Sequence, residues 1–97
     1  MRLLVLEHPL PGHGEAEYAP HLKAEAERAW ELHQAGVIRE LYFRGDREEA
    51  VLILECDSAA HCRSVLDTMP LVRAGLIEFE IIQLVPYRGF VRLFAHG

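Results

Sequence analysis

Residues Val37 to Cys56 read Val-Ile-Arg-Glu-Leu-Tyr-Phe-Arg, then Gly45-Asp46-Arg47, then Glu-Glu-Ala-Val-Leu-Ile-Leu-Glu-Cys. Two runs of β-branched, aromatic and aliphatic residues flank a short polar connection that contains glycine, which is the pattern of a β-hairpin. A helical pattern stands on each side of the hairpin, and a strand-like apolar run lies beyond each helix. The order is therefore β-α-β-β-α-β.

Toward the N-terminus, Arg2 to Glu7 forms the first strand. His8-Pro9-Leu10-Pro11-Gly12-His13-Gly14 stops it, because proline fixes φ and glycine permits turns. From about Glu15 to Gln34, Ala19, Leu22, Ala26, Ala29, Trp30 and His33 recur at steps of three and four, which predicts one buried helical face. Glu27, Arg28, Glu31 and Gln34 fall opposite. Pro20 suits a first turn and moves the predicted start toward Ala19, and Gly36 caps the end.

Strict alternation in the strand Val37 to Arg44 puts Ile38, Glu40, Tyr42 and Arg44 on one face and Val37, Arg39, Leu41 and Phe43 on the other. After the second hairpin strand, Glu49 to Cys56, Asp57-Ser58 supplies an N-cap. Ala59, Cys62, Val65, Leu66 and Met69 then mark the buried stripe of a helix that Pro70 stops. Ile77 to Leu84 is the last strand. The tail from Pro86 to Gly97 carries Phe90, Val91, Leu93 and Phe94, an apolar run that needs a covering surface.

The chain has 97 residues, enough for one domain spanning 1–97. Its 51% hydrophobic and 26% charged residues describe a globular composition, without the ~20-residue apolar run of a membrane span. The short apolar start is unlike a secretory signal, so the expected location is cytoplasmic and Cys56 and Cys62 are expected as reduced thiols. A net charge of −5 argues against a grip on nucleic-acid phosphates.

The element order gives an α+β, ferredoxin-like four-stranded antiparallel sheet with both helices on one face. The other face stays bare and apolar. Pairing two such sheets face to face in a homodimer, or a higher homo-oligomer, would cover it and enclose a pocket, with the 86–97 tail packing on a partner subunit.

Within that architecture the chain resembles the dimeric α+β barrel proteins, specifically the muconolactone isomerase-like and YCII-related group. The resemblance rests on Leu22-Lys23-Ala24-Glu25, on Ala35-Gly36-Val37-Ile38-Arg39-Glu40-Leu41-Tyr42, on Met69-Pro70-Leu71 and on Ile81-Ile82-Gln83-Leu84-Val85-Pro86-Tyr87. It covers roughly residues 1 to 88. The His8 to Gly14 loop and the apolar tail through His96 depart from it. The resemblance implies a cofactor-independent isomerase of a lactone or small organic acid.

For such chemistry one group must move a proton beside a carbonyl, and a cation must hold the substrate carboxylate. Glu55 follows an uncharged run and shares a face with Val51 and Ile53; desolvated there, its pKa would rise and it would serve as general acid or base. Paired with an arginine such as Arg39, it would be structural. His8 closes the first strand on the face opposite Glu7 and suits proton shuttling, or else is simply exposed. Arg39 is the candidate carboxylate clamp, against a pairing with Glu55 or Glu25. Tyr42 is a pocket wall or a plain strand aromatic.

No metal is expected, since His13, Glu15 and His21 lie on a loop without rigid ligand spacing. Cys62 falls on the buried stripe as a core residue. The competing reading is a non-catalytic dimeric module for ligand binding or an accessory role, its charged strand residues forming internal ion pairs. An oxygen-dependent monooxygenase is a third, with Trp30 as a core residue counting against it.

Overall fold

A computed structural model describes residues 1–94; the 95–97 part of the tail lies outside it. The strands are β1 (Arg2–Pro9), β2 (Ile38–Phe43), β3 (Ala50–Glu55) and β4 (Ile77–Leu84), and the helices are α1 (Glu15–Tyr18), α2 (Leu22–Gln34), α3 (Ala59–Leu66) and α4 (Pro70–Arg73). All neighbouring strands pair antiparallel, in the order β2-β3-β1-β4. This is the ferredoxin-like sheet that the β-α-β-β-α-β pattern specifies.

Both helical regions are interrupted. Pro20 lies in a 3-10 turn, Ala19–His21, between α1 and α2, because a proline ring cannot follow a full α-helical turn without losing a backbone hydrogen bond. Pro70 does stop α3, yet it also occupies the first turn of a new helix, α4, where its missing N–H costs nothing. Ser58 caps α3 by accepting the His61 N–H at 3.0 Å. Gly36 ends α2 with φ +78°, a left-handed conformation that residues with a Cβ rarely adopt.

The register sorts the side chains into two faces. Leu3 opposes Leu54, and Val5 opposes both Leu52 and Ile81. These residues join Ile77 and Phe79 in contact with Leu32, Cys62, Leu66, Met69 and Leu71 from the helices, forming the core. Burying side chains of this size is worth about 1.5–3 kcal/mol each. On the opposite face lie Leu4, Leu6, Val51 and Ile53, half-buried, with Ile82 and Leu84 more exposed.

Two sequence expectations are corrected. The pairing shifts between Ile38 and Glu40, so that Ile38 opposes Leu54 while Glu40 opposes Ile53. This irregularity at Arg39 reverses the alternation, because an extra residue in one strand flips everything after it. Ile38 therefore shares the core face with Leu41 and Phe43, and Glu40 and Tyr42 point to the open face. The second correction concerns α2: its buried stripe runs through Glu25, Arg28, Ala29 and Leu32, while Leu22 and Trp30 are 52% and 60% exposed. Trp30 is not a core residue, and it no longer counts against the monooxygenase reading.

Candidate functional site

The open face of the sheet is built from four transverse rows. Tyr42, Val51, Leu6 and Glu80 stand opposite one another across β2, β3, β1 and β4 in one row. Glu40, Ile53, Leu4 and Ile82 form the next, followed by Glu55, Arg2 and Leu84; His8 and Glu78 close the other end. The centre is thus an aliphatic floor. Its rims carry the ionisable groups, which is the usual composition of a small-molecule site.

His8 stands at one rim, where its Nε2–H donates to Glu80 Oε1 at 2.7 Å. The carboxylate acceptor favours the tautomer with its hydrogen on Nε2, which leaves Nδ1 without one. Tyr42 is on the same face and donates its hydroxyl to Glu40 Oε1 at 2.7 Å. That contact raises the phenol pKa, with the Glu40 charge adding to it, so Tyr42 stays a neutral wall.

Glu55 faces the same side at the far end. It accepts Arg2 Nε at 2.9 Å and the Met1 amino group at 3.2 Å. These cations, Arg2 first, hold its carboxyl below the ordinary range and outweigh desolvation. The expectation of a raised pKa is overturned: the neighbouring cations favour the charged form more than partial burial penalises it. Beside this pair an open recess of about 420 Å³ is lined by Met1, Arg2, Leu84, Val85 and Pro86.

Arg39 occupies the irregular step of β2 and donates its Nε to the Gly36 carbonyl at 2.5 Å. It pairs with neither Glu55 nor Glu25. Arg44 is bound within the hairpin turn by Asp46, through Nε at 2.9 Å and a terminal nitrogen at 2.8 Å. The structure therefore brings His8 and Tyr42 onto one half of the open face, places Glu55 at its other end, and leaves Arg39 at the strand edge.

Sequence reasoning missed Glu80 and Glu7. Glu80 has no local signal, because only the β1–β4 register brings it to His8. Glu7 does have one: alternation with Leu3 and Val5 puts a carboxylate on the core face. Burial raises its pKa, partly offset by the Ala50 backbone amide, and the charges of Glu25, Glu49 and Glu48 push it further in the same direction. Tyr18 lies close by and donates its hydroxyl to the Leu76 carbonyl at 3.0 Å. Among the described residues, no three His, Cys, Asp or Glu side chains converge as metal ligands, and no helix is long and apolar enough to cross a membrane.

No family model matches the chain, and no curated protein matches it. Among solved structures it is similar to muconolactone isomerase, with a TM-score of 0.75 and 20% identity over 91% of this chain and 92% of that one. It is also similar to 5-chloro-2-hydroxyhydroquinone dehydrochlorinase from Burkholderia phenoliruptrix AC1100, solved in complex with 2,5-dihydroxybenzoquinone. There the TM-score is 0.72 and the identity 17%, over 92% of this chain and 98% of that one. At these identities the likeness is one of fold. The chain has the fold of muconolactone isomerase.

Proposed function

We propose that the protein is a cofactor-independent isomerase of a small lactone or related organic acid, acting by proton transfer on the open face of the sheet. The observation that carries this reading is the His8–Glu80 pair, at 2.7 Å, standing over an aliphatic floor. His8 Nδ1 takes a proton from the carbon beside the substrate carbonyl and returns it at the other end of the conjugated system. Nothing is oxidised and no group leaves. Glu80 orients the imidazole.

Tyr42 forms the far wall. Three strand spacings separate its row position from Glu80, about 14 Å, which leaves room for one small ring above Leu6 and Val51. Arg39 is the proposed anchor for a substrate carboxylate, since its Nε bond to Gly36 leaves two terminal nitrogens for a forked contact. Glu55, neutralised by Arg2 and Met1, is assigned to holding the far end of the face rather than to proton transfer. A second copy, facing this one sheet to sheet, would exclude water from the floor and strengthen each polar contact in it.

One observation favours a second reading, a non-catalytic ligand-binding or accessory module: Glu55 is satisfied internally by Arg2. The two readings separate in a thermal-shift screen against lactones, muconate-like diacids and aromatic carboxylates, followed by turnover assays on each stabilising compound. A ligand at ~100 times its dissociation constant adds ~2.7 kcal/mol. Stabilisation with turnover that His8→Gln abolishes supports the isomerase. Stabilisation without turnover of any compound supports the binding module.

A further inference from the structure

The chain has a radius of gyration of 16.3 Å and a longest extent of 61 Å, whereas a compact chain of this length would have a radius near ~12.5 Å. Among the described residues the C-terminal arm bonds its backbone within itself, Val91 N–H to the Arg88 carbonyl and Phe94 N–H to the Val91 carbonyl. Val85, Tyr87, Phe90, Val91, Leu93 and Phe94 are all 60–78% exposed, a run of large apolar side chains far beyond what a soluble surface leaves uncovered. The arm is not shapeless: a 3-10 turn spans Gly89–Leu93. The Tyr87 ring crosses over Gly89, where any Cβ would collide with it, and meets Phe90 edge-on at 5.0 Å.

A matching surface exists elsewhere on the same chain. Leu22, Ala26, Trp30 and His33 recur at steps of four, four and three along α2, so they share one side of the helix. That side faces the β2 edge, because His33 Nδ1–H donates to the Ile38 carbonyl at 2.9 Å, whereas Arg28 and Glu25, on the other side, bond to Thr68 and Leu71. On β2 the facing residues are Leu41 and Phe43, which share the core side of the sheet yet are 39% and 66% exposed. Between α2 and β2 there is consequently an uncovered apolar strip. Glu27, three residues before Trp30, flanks the strip rather than opposing it, with Lys23 beside it; Glu48 and Glu49 follow the hairpin turn, Glu49 bonded to Arg47 at 3.1 Å, while the arm carries Arg88 and Arg92 four residues apart.

We propose that the arm of one copy docks on the α2–β2 strip of a second copy, with Phe90, Leu93 and Phe94 against Leu22, Trp30 and Phe43, and Arg88 and Arg92 toward Glu27 and Glu48. Apolar match, opposite charge and the exposure of the arm's apolar side chains all favour this occupant. The contact is head-to-tail, distinct from the sheet-to-sheet pairing under which the His8 chemistry was proposed, and it stands whether or not that chemistry does.

Trp30 is the single tryptophan of the chain, so its fluorescence reports on the strip directly. Expected are a shielded, blue-shifted emission in the intact protein, a red shift on dilution, and a fully solvated emission in a variant ending at Pro86. That truncation removes no core residue. Mixing the truncated chain, which keeps Trp30, with an intact Trp30→Phe chain should restore the shielded emission, because the second chain supplies only an arm. Arg92→Glu should expose Trp30 and Glu27→Arg in the same chain should shield it again.

Emission that is unchanged by truncation, or that is solvated in the intact assembly, overturns the proposal. So does shielding that is independent of concentration, which would mean an arm folded back on its own chain. Light scattering on the same samples reads the assembly size, which should fall on truncation.

Discussion

The carboxylate of Glu25, on α2, accepts the backbone N–H of Leu71, on α4, at 2.9 Å. Met69, at the N-cap of α4, supplies no side-chain acceptor, and an uncapped first turn leaves backbone donors without partners. Glu25 fills that vacancy from 46 residues away. Its pKa is raised, first by burial. Glu25→Ala should cost about 1 kcal/mol, the usual effect of losing a cap, and Glu25→Gln, which keeps an acceptor oxygen, should cost less. Urea unfolding of the three proteins at pH 7 measures both.

Glu7 offers a pH-dependent prediction of definite sign. Its folded-state pKa is raised, chiefly by burial and further by Glu25, Glu49 and Glu48. A carboxyl with a raised folded pKa binds its proton more tightly when folded, so its contribution is fully present below the unfolded pKa and is lost as pH rises through the folded pKa. At pH 7 the charged form is therefore a liability. Glu7→Gln should raise the thermal midpoint at pH 7 by roughly a few degrees and leave it nearly unchanged at pH 4. An equal effect at both values would remove the electrostatic explanation.

Proton transfer assigned to His8, and not to Glu55, makes the two variants diverge. His8→Gln should lower kcat by about 10²–10⁴-fold, the range general acid–base groups supply, on whichever substrate the thermal-shift screen identifies. Glu55→Gln should leave kcat within a few-fold of wild type, because its carboxylate is engaged by Arg2 and Met1. Arg39→Gln should raise KM with little change in kcat, as expected for an anchor that binds ground and transition states alike. A collapse of kcat in Glu55→Gln would return the role to that residue.

Particular residues show what the sequence could and could not disclose. Strand order, the hairpin and the Ser58 cap are local or pattern-level features, and they were legible. The face assignment of β2 was not, because the shift at Arg39 depends on how the first hairpin strand registers against Leu54 and Ile53. Trp30 misled for a different reason: an apolar stripe states that a surface will be covered, without stating whether its own domain covers it. Of the candidate site, His8 was visible as a strand-end histidine. Its partner Glu80 is 72 residues away, and no spacing rule reaches that far.

Cys56 and Cys62 make the last prediction. Both are free and buried. Burial is the first cause that raises both pKa values, pushing Cys62 up to about 12. Thiolate is the reactive form of a cysteine, so at pH 7 neither should react readily. A disulfide reagent in native buffer should consume less than one thiol over the time in which it titrates both in guanidinium. Cys62 is fully buried in the helix–sheet core, where Cys62→Ala opens only a small space. Cys62→Ser places a hydroxyl there that is more strongly hydrated than a thiol. The serine variant should therefore be the less stable of the two, by about 1 kcal/mol or more, as read from their unfolding midpoints. The reverse order would mean that the hydroxyl finds a partner at that position.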